Sequence, residues 1–260
     1  MNILDEIAEY TRERVRHSKQ IISLDAMMKT AYEIPKGRFE FENALKNKGL
    51  SFICECKKAS PSKGIIAEYF PYLEIACEYQ NAGADAISVL TEPKYFLGHD
   101  EHLLEIAGTV SIPCLRKDFT VDEYMIYEAK ALGACAVLLI CAILNDSQLR
   151  EYIHICDELG MSALVEAHDE NEIRRAVDTG ARVIGVNNRN LKDFSVDHNN
   201  SMRLRKIIPD NILFVSESGI RNAEDVRMIR EAGADAVLVG EVLMRAEDKT
   251  SMLSELKSRL

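Results

Sequence analysis

The chain has no basic surplus: 32 Lys and Arg stand against 42 Asp and Glu, a formal net charge of −10. General binding to nucleic acid or to an anionic membrane wants a basic face, so neither is expected. An anionic ligand must then be caught by a local cluster of positive groups. The opening stretch, MNILDEIAEYTRERVRHSKQ, has no apolar run long enough for a signal peptide or a membrane span. The seven cysteines include no CxxC pair and are odd in number, which fits the reduced thiols of a cytoplasmic protein. No set of His, Cys and Asp shows metal-ligand spacing. His99 and His102 are three apart, but a solvated helix face accounts for them better than a metal. Also missing is the GxGxxG turn that usually opens a doubly wound nucleotide-binding sheet.

What is present is a rhythm. AGADAISVL (82–90), LGACAVLLI (132–140), TGARVIGVN (179–187) and AGADAVLVG (232–240) repeat one phrase. Each reads as a helix end, a glycine suited to a left-handed cap, then a short apolar strand. Gly83, Gly133, Gly180 and Gly233 fall about fifty residues apart, room for two strand–helix units per step. Further strands read at SFICEC, IPCLRK, SALVEA and ILFVSES, which makes eight, with helical patterns between them. Several of those helices open with Asp, Asn or Ser, the residues that cap a first turn. Strands alternating with helices predict a parallel sheet, and eight units predict its closure: a single (β/α)8 TIM barrel domain over 1–260. Residues 1–48 precede the first strand and read as an N-terminal helical extension. Its stripe of Ile3, Leu4, Ile7, Tyr10 and Thr11 is expected to plug or flank the barrel.

In such a barrel the chemistry belongs at the C-terminal strand ends. Those ends supply Glu55 and Lys57 from strand 1, Lys117 from strand 3 and Glu166 from strand 5. Strand 6 adds Asn187 and Arg189, and strand 7 adds Glu217 and Ser218. Alternation puts Ile53 with Glu55 and Lys57, Leu115 with Lys117, and Leu164 with Glu166. The apolar partner packs inside the barrel, so the charge above it points into the mouth. A ring of rim salt bridges is the plain alternative. Three carboxylates and three cations from five strands favour function instead, because burying each ion costs several kcal/mol unless it is paired. Arg116 has the opposite parity and should find a structural partner under the helices, while His168 reads as a rim histidine. SESGI and LVGEVLM put Gly219 and Gly240 just after strands 7 and 8, where backbone N–H groups can approach a phosphate.

Taken together, ECKKASPSKG, LRKDF, YEAKALGA, LVEAHDE, IGVNNRNLKDF, SESGI and LVGEVLMR resemble the successive motifs of the indole-3-glycerol phosphate synthase family. The match runs in order from about residue 39 to 246. The resemblance implies a carboxy-lyase of tryptophan biosynthesis that needs neither cofactor nor metal. Its substrate would be 1-(2-carboxyphenylamino)-1-deoxyribulose 5-phosphate, a phosphorylated small molecule. Other tryptophan-pathway enzymes are the candidates for association. By the same resemblance Lys117 is the general acid and Glu166 the acid/base group of ring closure and dehydration. Lys57 neutralises substrate anions or shares the acid role, and Glu55 orients and charges the lysine network. Asn187 and Ser218 complete the catalytic set. Ser60, Asn187 and Arg189 would hold the carboxylate and sugar hydroxyls, Arg189 through its planar fork, with Glu217 among the substrate-binding groups. Ser218, Gly219, Gly240 and the Glu241 backbone would take the phosphate, and Phe119, Leu138 and Leu191 would wall the aromatic ring. Two departures stand out: KYFLGHD has Leu97 and His99 where the family usually shows Gly-Gly-Ser, and position 241 is Glu where some members have Ser. The Glu241 side chain must therefore turn away. The competing readings are an isomerase barrel for a related aminoaldose phosphate and a non-catalytic, metabolite-binding barrel.

Overall fold

Gly83, Gly133, Gly180 and Gly233 sit at φ +85°, +85°, +90° and +88°, the left-handed region that a side chain would strain. Each ends a helix and admits a strand, as the repeated phrase predicts. The computed structural model describes residues 3–46, 49–189, 195–197 and 199–260. Its barrel strands are β1 (Ser51–Cys56), β2 (Ala86–Leu90), β3 (Cys114–Lys117), β4 (Ala136–Ile140), β5 (Ser162–Ala167), β6 (Val183–Asn187), β7 (Leu213–Glu217) and β8 (Ala236–Val239). All pair in parallel with their sequence neighbours, and β8 returns to β1 with Ser51 opposite Ala236. The sheet closes, so the open doubly wound alternative is excluded. The Ser-Pro-Ser-Lys-Gly segment after β1 is a small hairpin rather than a plain loop, with Ala59–Ser60 antiparallel to Gly64–Ile65.

The helices are α1 (Ile3–Ile21), α2 (Leu24–Glu33), α3 (Glu40–Leu45), α4 (Tyr72–Asn81), α5 (Asp100–Thr109) and α6 (Tyr124–Ala131). Then follow α7 (Asp146–Leu159), α8 (Glu170–Asp178), α9 (Asn199–Arg205), α10 (Ala223–Glu231), α11 (Glu241–Arg245) and α12 (Lys249–Lys257). Polar caps start several of them. Asn145 and Gln148 form a reciprocal capping box on α7, and Asp169, Asn222 and Asp248 cap α8, α10 and α12. The cap of α5 is His99, whose Nδ1 accepts the Glu101 N–H. That is what His99 does. Among the described residues no helix is long and apolar enough to cross a membrane.

Alternation sorts the strand side chains as expected. Ile53, Ala86, Leu115, Leu164, Val183, Val215 and Leu238 fill the barrel interior, whereas Phe52, Cys54, Cys56, Val165 and Phe214 pack under the helices. Arg116 points outward, only 2% exposed, and bonds Asp100, Glu128, the Met125 carbonyl and Thr91. The helices before β1 hold both ends of the barrel. At the base, Phe41 and Leu45 of α3 join the interior cluster, tied there by the Glu42 N–H on Ser162 Oγ. At the mouth, Arg14 of α1 makes a forked bond to Asp118, just past β3, at 2.8 and 2.7 Å. Leu4, Ile7 and Thr11 of the predicted stripe are buried, with Ile3 and Tyr10 partly so.

Candidate active site

The C-terminal strand ends open into a cavity of about 570 Å³ whose floor is apolar and whose wall is charged. Lys117 stands between two carboxylates, its Nζ 3.3 Å from Glu166 Oε2 and 3.5 Å from Glu217 Oε2. Lys57 pairs with Glu55 at 2.6 Å, and Ser88 Oγ donates to the other Glu55 oxygen at 3.4 Å. Two glycines make room for this ring. A Cβ on Gly185 of β6 would sit 2.0 Å from Glu217 Oε1, and one on Gly240 would sit 2.6 Å from Glu55 Oε1 and 3.0 Å from Lys57 Nζ. Gly240 therefore makes room for the Glu55–Lys57 pair, a demand that the loop motif alone does not reveal.

Burial and neighbouring charge then set the protonation states. Burial pushes the Glu217 carboxyl up and outweighs Lys117; the Glu166 and Glu55 charges add to it, and the group titrates at about 8. Glu166 is equally buried, yet Lys117, His168 and Asn187 together hold it below the usual carboxylate range. Lys117 loses water to burial, but Glu166, Glu217 and Glu55 more than compensate and raise it above an ordinary lysine. At neutral pH the cluster thus holds an ammonium, an ionised Glu166 and a protonated Glu217. One carboxyl can accept a proton while its neighbour holds one.

Most residues singled out from the sequence border this one cavity. Ser60 comes from the hairpin, Phe119 from beyond β3 and Leu138 from β4, with Asn187, Arg189, Ser218, Gly219 and Glu241 around the far side. Phe119 lies against Phe96, ring centroids 6.0 Å apart. The Asn187 side-chain oxygen accepts the Arg189 N–H at 3.0 Å. Ser218 and Gly219 have φ of +66° and +98°, a sharp turn braced by buried Asn188, whose amide donates to the Ser218 carbonyl and Ser216 Oγ. Glu241 turns its carboxylate toward Lys63 at 3.4 Å and Arg245 at 3.3 Å. Leu97 holds φ +52°; Gly98 after it admits no Cβ, because one would lie 2.3 Å from the Leu90 carbonyl oxygen. Leu191 lies outside the described residues.

Two features differ from the sequence reading. His168 is more than a rim residue: its Nε2 is 3.4 Å from Glu166 Oε1. And α1 contributes to the site itself, since Ile3, Leu4 and Ile7 line the cavity. The stripe on α1 was visible in the sequence, but its destination is marked by long-range bonds, Arg14 to Asp118, Lys19 to Asp122 and Tyr95 to Glu6, for which nothing in the local pattern speaks.

The model of the family described as indole-3-glycerol phosphate synthase matches residues 4–256. The chain belongs to the indole-3-glycerol phosphate synthase family. The indole-3-glycerol phosphate synthase of Ruminiclostridium cellulolyticum is 56% identical over 256 residues, covering 98% of each chain. That of Lacticaseibacillus paracasei is 52% identical, covering 99% of each. Among solved structures, 3-hexulose-6-phosphate synthase from Salmonella typhimurium superposes with a TM-score of 0.66 at 15% identity, over 81% of this chain and 98% of that one. A likeness at that identity concerns the barrel and not its chemistry. The family match over the full barrel speaks against both the isomerase and the non-catalytic alternatives.

Proposed function

We propose that the chain converts 1-(2-carboxyphenylamino)-1-deoxyribulose 5-phosphate to indole-3-glycerol phosphate, with release of CO2 and water. The observation that carries the assignment of roles is Lys117 held between Glu166 and Glu217 over an apolar floor. An ammonium so placed stays charged until a substrate oxygen takes its proton. Lys117 protonates the ketone oxygen as the ring carbon bearing the carboxylate attacks the ketone carbon. Loss of CO2 restores the aromatic ring. The new hydroxyl then takes a second proton, from Lys117 once solvent has restored its ammonium, and leaves as water, while Glu166, the ionised carboxyl, takes the proton that the forming double bond releases. Glu217, neutral at that pH, keeps the Lys117 proton transferable, because a second full negative charge there would hold it back.

The remaining side chains bind. Lys57, charged and steered by Glu55, faces the substrate carboxylate together with Ser60, Asn187 and Arg189. The Ser218–Gly219 turn and the Gly240–Glu241 start of α11 take the phosphate, with Phe119 and Leu138 against the aromatic ring. Seven free thiols and the acidic balance support a cytoplasmic enzyme that does not act on nucleic acid. Packing of α1 and α3 against both barrel ends supports a single domain.

Lys117→Ala tests this assignment. Turnover should be lost while substrate affinity stays within about tenfold, since what disappears is a transition-state interaction. Lys117→Arg should fail too, because a guanidinium holds its proton too tightly. Near-normal turnover in either folded variant would remove Lys117 from the role.

A further inference from the structure

His168 follows β5 and lies between two carboxylates. Its Nδ1 is 3.1 Å from Glu172 Oε2 of α8, and the same oxygen accepts the His168 backbone N–H at 2.7 Å. On the opposite side Nε2 reaches within 3.4 Å of Glu166 Oε1, buried and without an aligned hydrogen bond. An ionised carboxylate only accepts, so the Glu172 contact places a proton on Nδ1. A neutral ring would then face Glu166 with a lone pair, in a spot too dry for water to separate them. A second proton, on Nε2, turns that repulsion into an ion pair.

We propose that His168 is a positioning residue for Glu166: an imidazolium, oriented by Glu172, that keeps Glu166 ionised and fixes its carboxylate beside Lys117. The inference rests on the role given to Glu166 in the proposed function. Each Glu166 oxygen then has one cationic neighbour, Lys117 of β3 on Oε2 and His168 on Oε1. Among the described residues, Glu217 of β7 also reaches His168 and favours the imidazolium, while Asn200 of α9 adds only a neutral amide on the His168 carbonyl. Burial disfavours the charged ring, but Glu172, Glu166 and Glu217 outweigh it and raise its pKa above that of an ordinary histidine. A carboxylate orienting an imidazole that acts on a second group is the arrangement by which proteins set tautomer and charge at a distance from the substrate.

His168→Ala should lower kcat roughly tenfold with KM nearly unchanged, the scale of losing an outer orienting partner. The acidic limb of the kcat profile should move up by about one pH unit, since Glu166 loses a positive neighbour. His168→Gln restores an amide donor but no charge, so it should recover part of kcat while the limb stays displaced. Wild-type kcat and limb in a folded His168→Ala protein would overturn the proposal. So would lost activity with an unmoved limb, which marks a purely structural role. NMR titration of the His168 ring needs no turnover. Its midpoint should lie above about 6.5, the ordinary histidine value, and fall in both Glu166→Gln and Glu172→Gln. A midpoint below that value, or one indifferent to Glu166→Gln, contradicts the proposal even if the enzyme is active. A wild-type protein inert toward the substrate would instead sink the functional reading and leave the titration to be judged alone.

Discussion

A carboxylic acid that stays protonated near neutral pH is costly to build, and Glu217 has the surroundings for it: full burial, Glu166 nearby, and a glycine at 185 where any side chain would collide with it. As pH rises through about 8, Glu217 ionises and adds a full charge 3.5 Å from Lys117 Nζ. Lys117 becomes a weaker acid, and kcat should fall. Glu217→Gln stays neutral at every pH, so this alkaline fall should flatten while activity near pH 7 is largely kept. A pH–rate profile of the two proteins checks it; an identical alkaline limb in the variant would assign the step to another group. The charged positions themselves were legible from parity, because Ile53, Leu115 and Leu164 fix which way Glu55, Lys117 and Glu166 face. Their protonation states were not legible. Those depend on distances across strands distant in sequence, and so does the approach of His168 to Glu166.

Elements repeat the same division between local and distant information. Helix ends and strand starts were readable because Gly83, Gly133, Gly180 and Gly233 carry a backbone demand that no other residue meets cheaply. The paths of α1 and α3 were not, since an amphipathic stripe says that a face is buried and not against what. Arg14 anchors α1 through Asp118, whose side chain has no exposure and which also accepts from Thr91 and the Phe119 N–H. Arg14→Ala should cost about 2 kcal/mol in urea unfolding, the usual value of a hydrogen bond to a buried charge. It should also raise KM, because Ile3, Leu4 and Ile7 would lose their fixed place in the cavity wall. Burial raises the Asp118 carboxyl, but Arg14 and Arg116 hold it below the ordinary range. Its stabilising contribution is therefore full above the unfolded value of about 3.9 and is lost as pH falls through the native one. Removing Arg14 raises the native value, so acid unfolding should begin at higher pH. Unchanged stability and unchanged KM would mean that the apolar face of α1, with its Lys19–Asp122 and Glu6–Tyr95 contacts, holds it at the mouth without Arg14.

At the scale of the whole molecule, an acidic protein gathers Lys57, Lys117 and Arg189 at one end of a closed barrel, and caps the other end with Phe41 and Leu45. The net charge of −10 makes that mouth the place where a substrate with two anions can be held. Closure of the barrel followed from the count of repeated phrases. The left-handed backbone at Ser218 did not, because a non-glycine residue in that conformation leaves no mark in composition, and the hairpin after β1 did not, because its strands are only two residues long. The central claim is that this mouth closes an indole ring with decarboxylation. The purified chain should be mixed with 1-(2-carboxyphenylamino)-1-deoxyribulose 5-phosphate while indole fluorescence and CO2 are followed together. The account predicts that both appear at the same rate, with equal amounts of indole product and CO2. Substrate that binds but yields no CO2, or that isomerises without forming the indole chromophore, would contradict it.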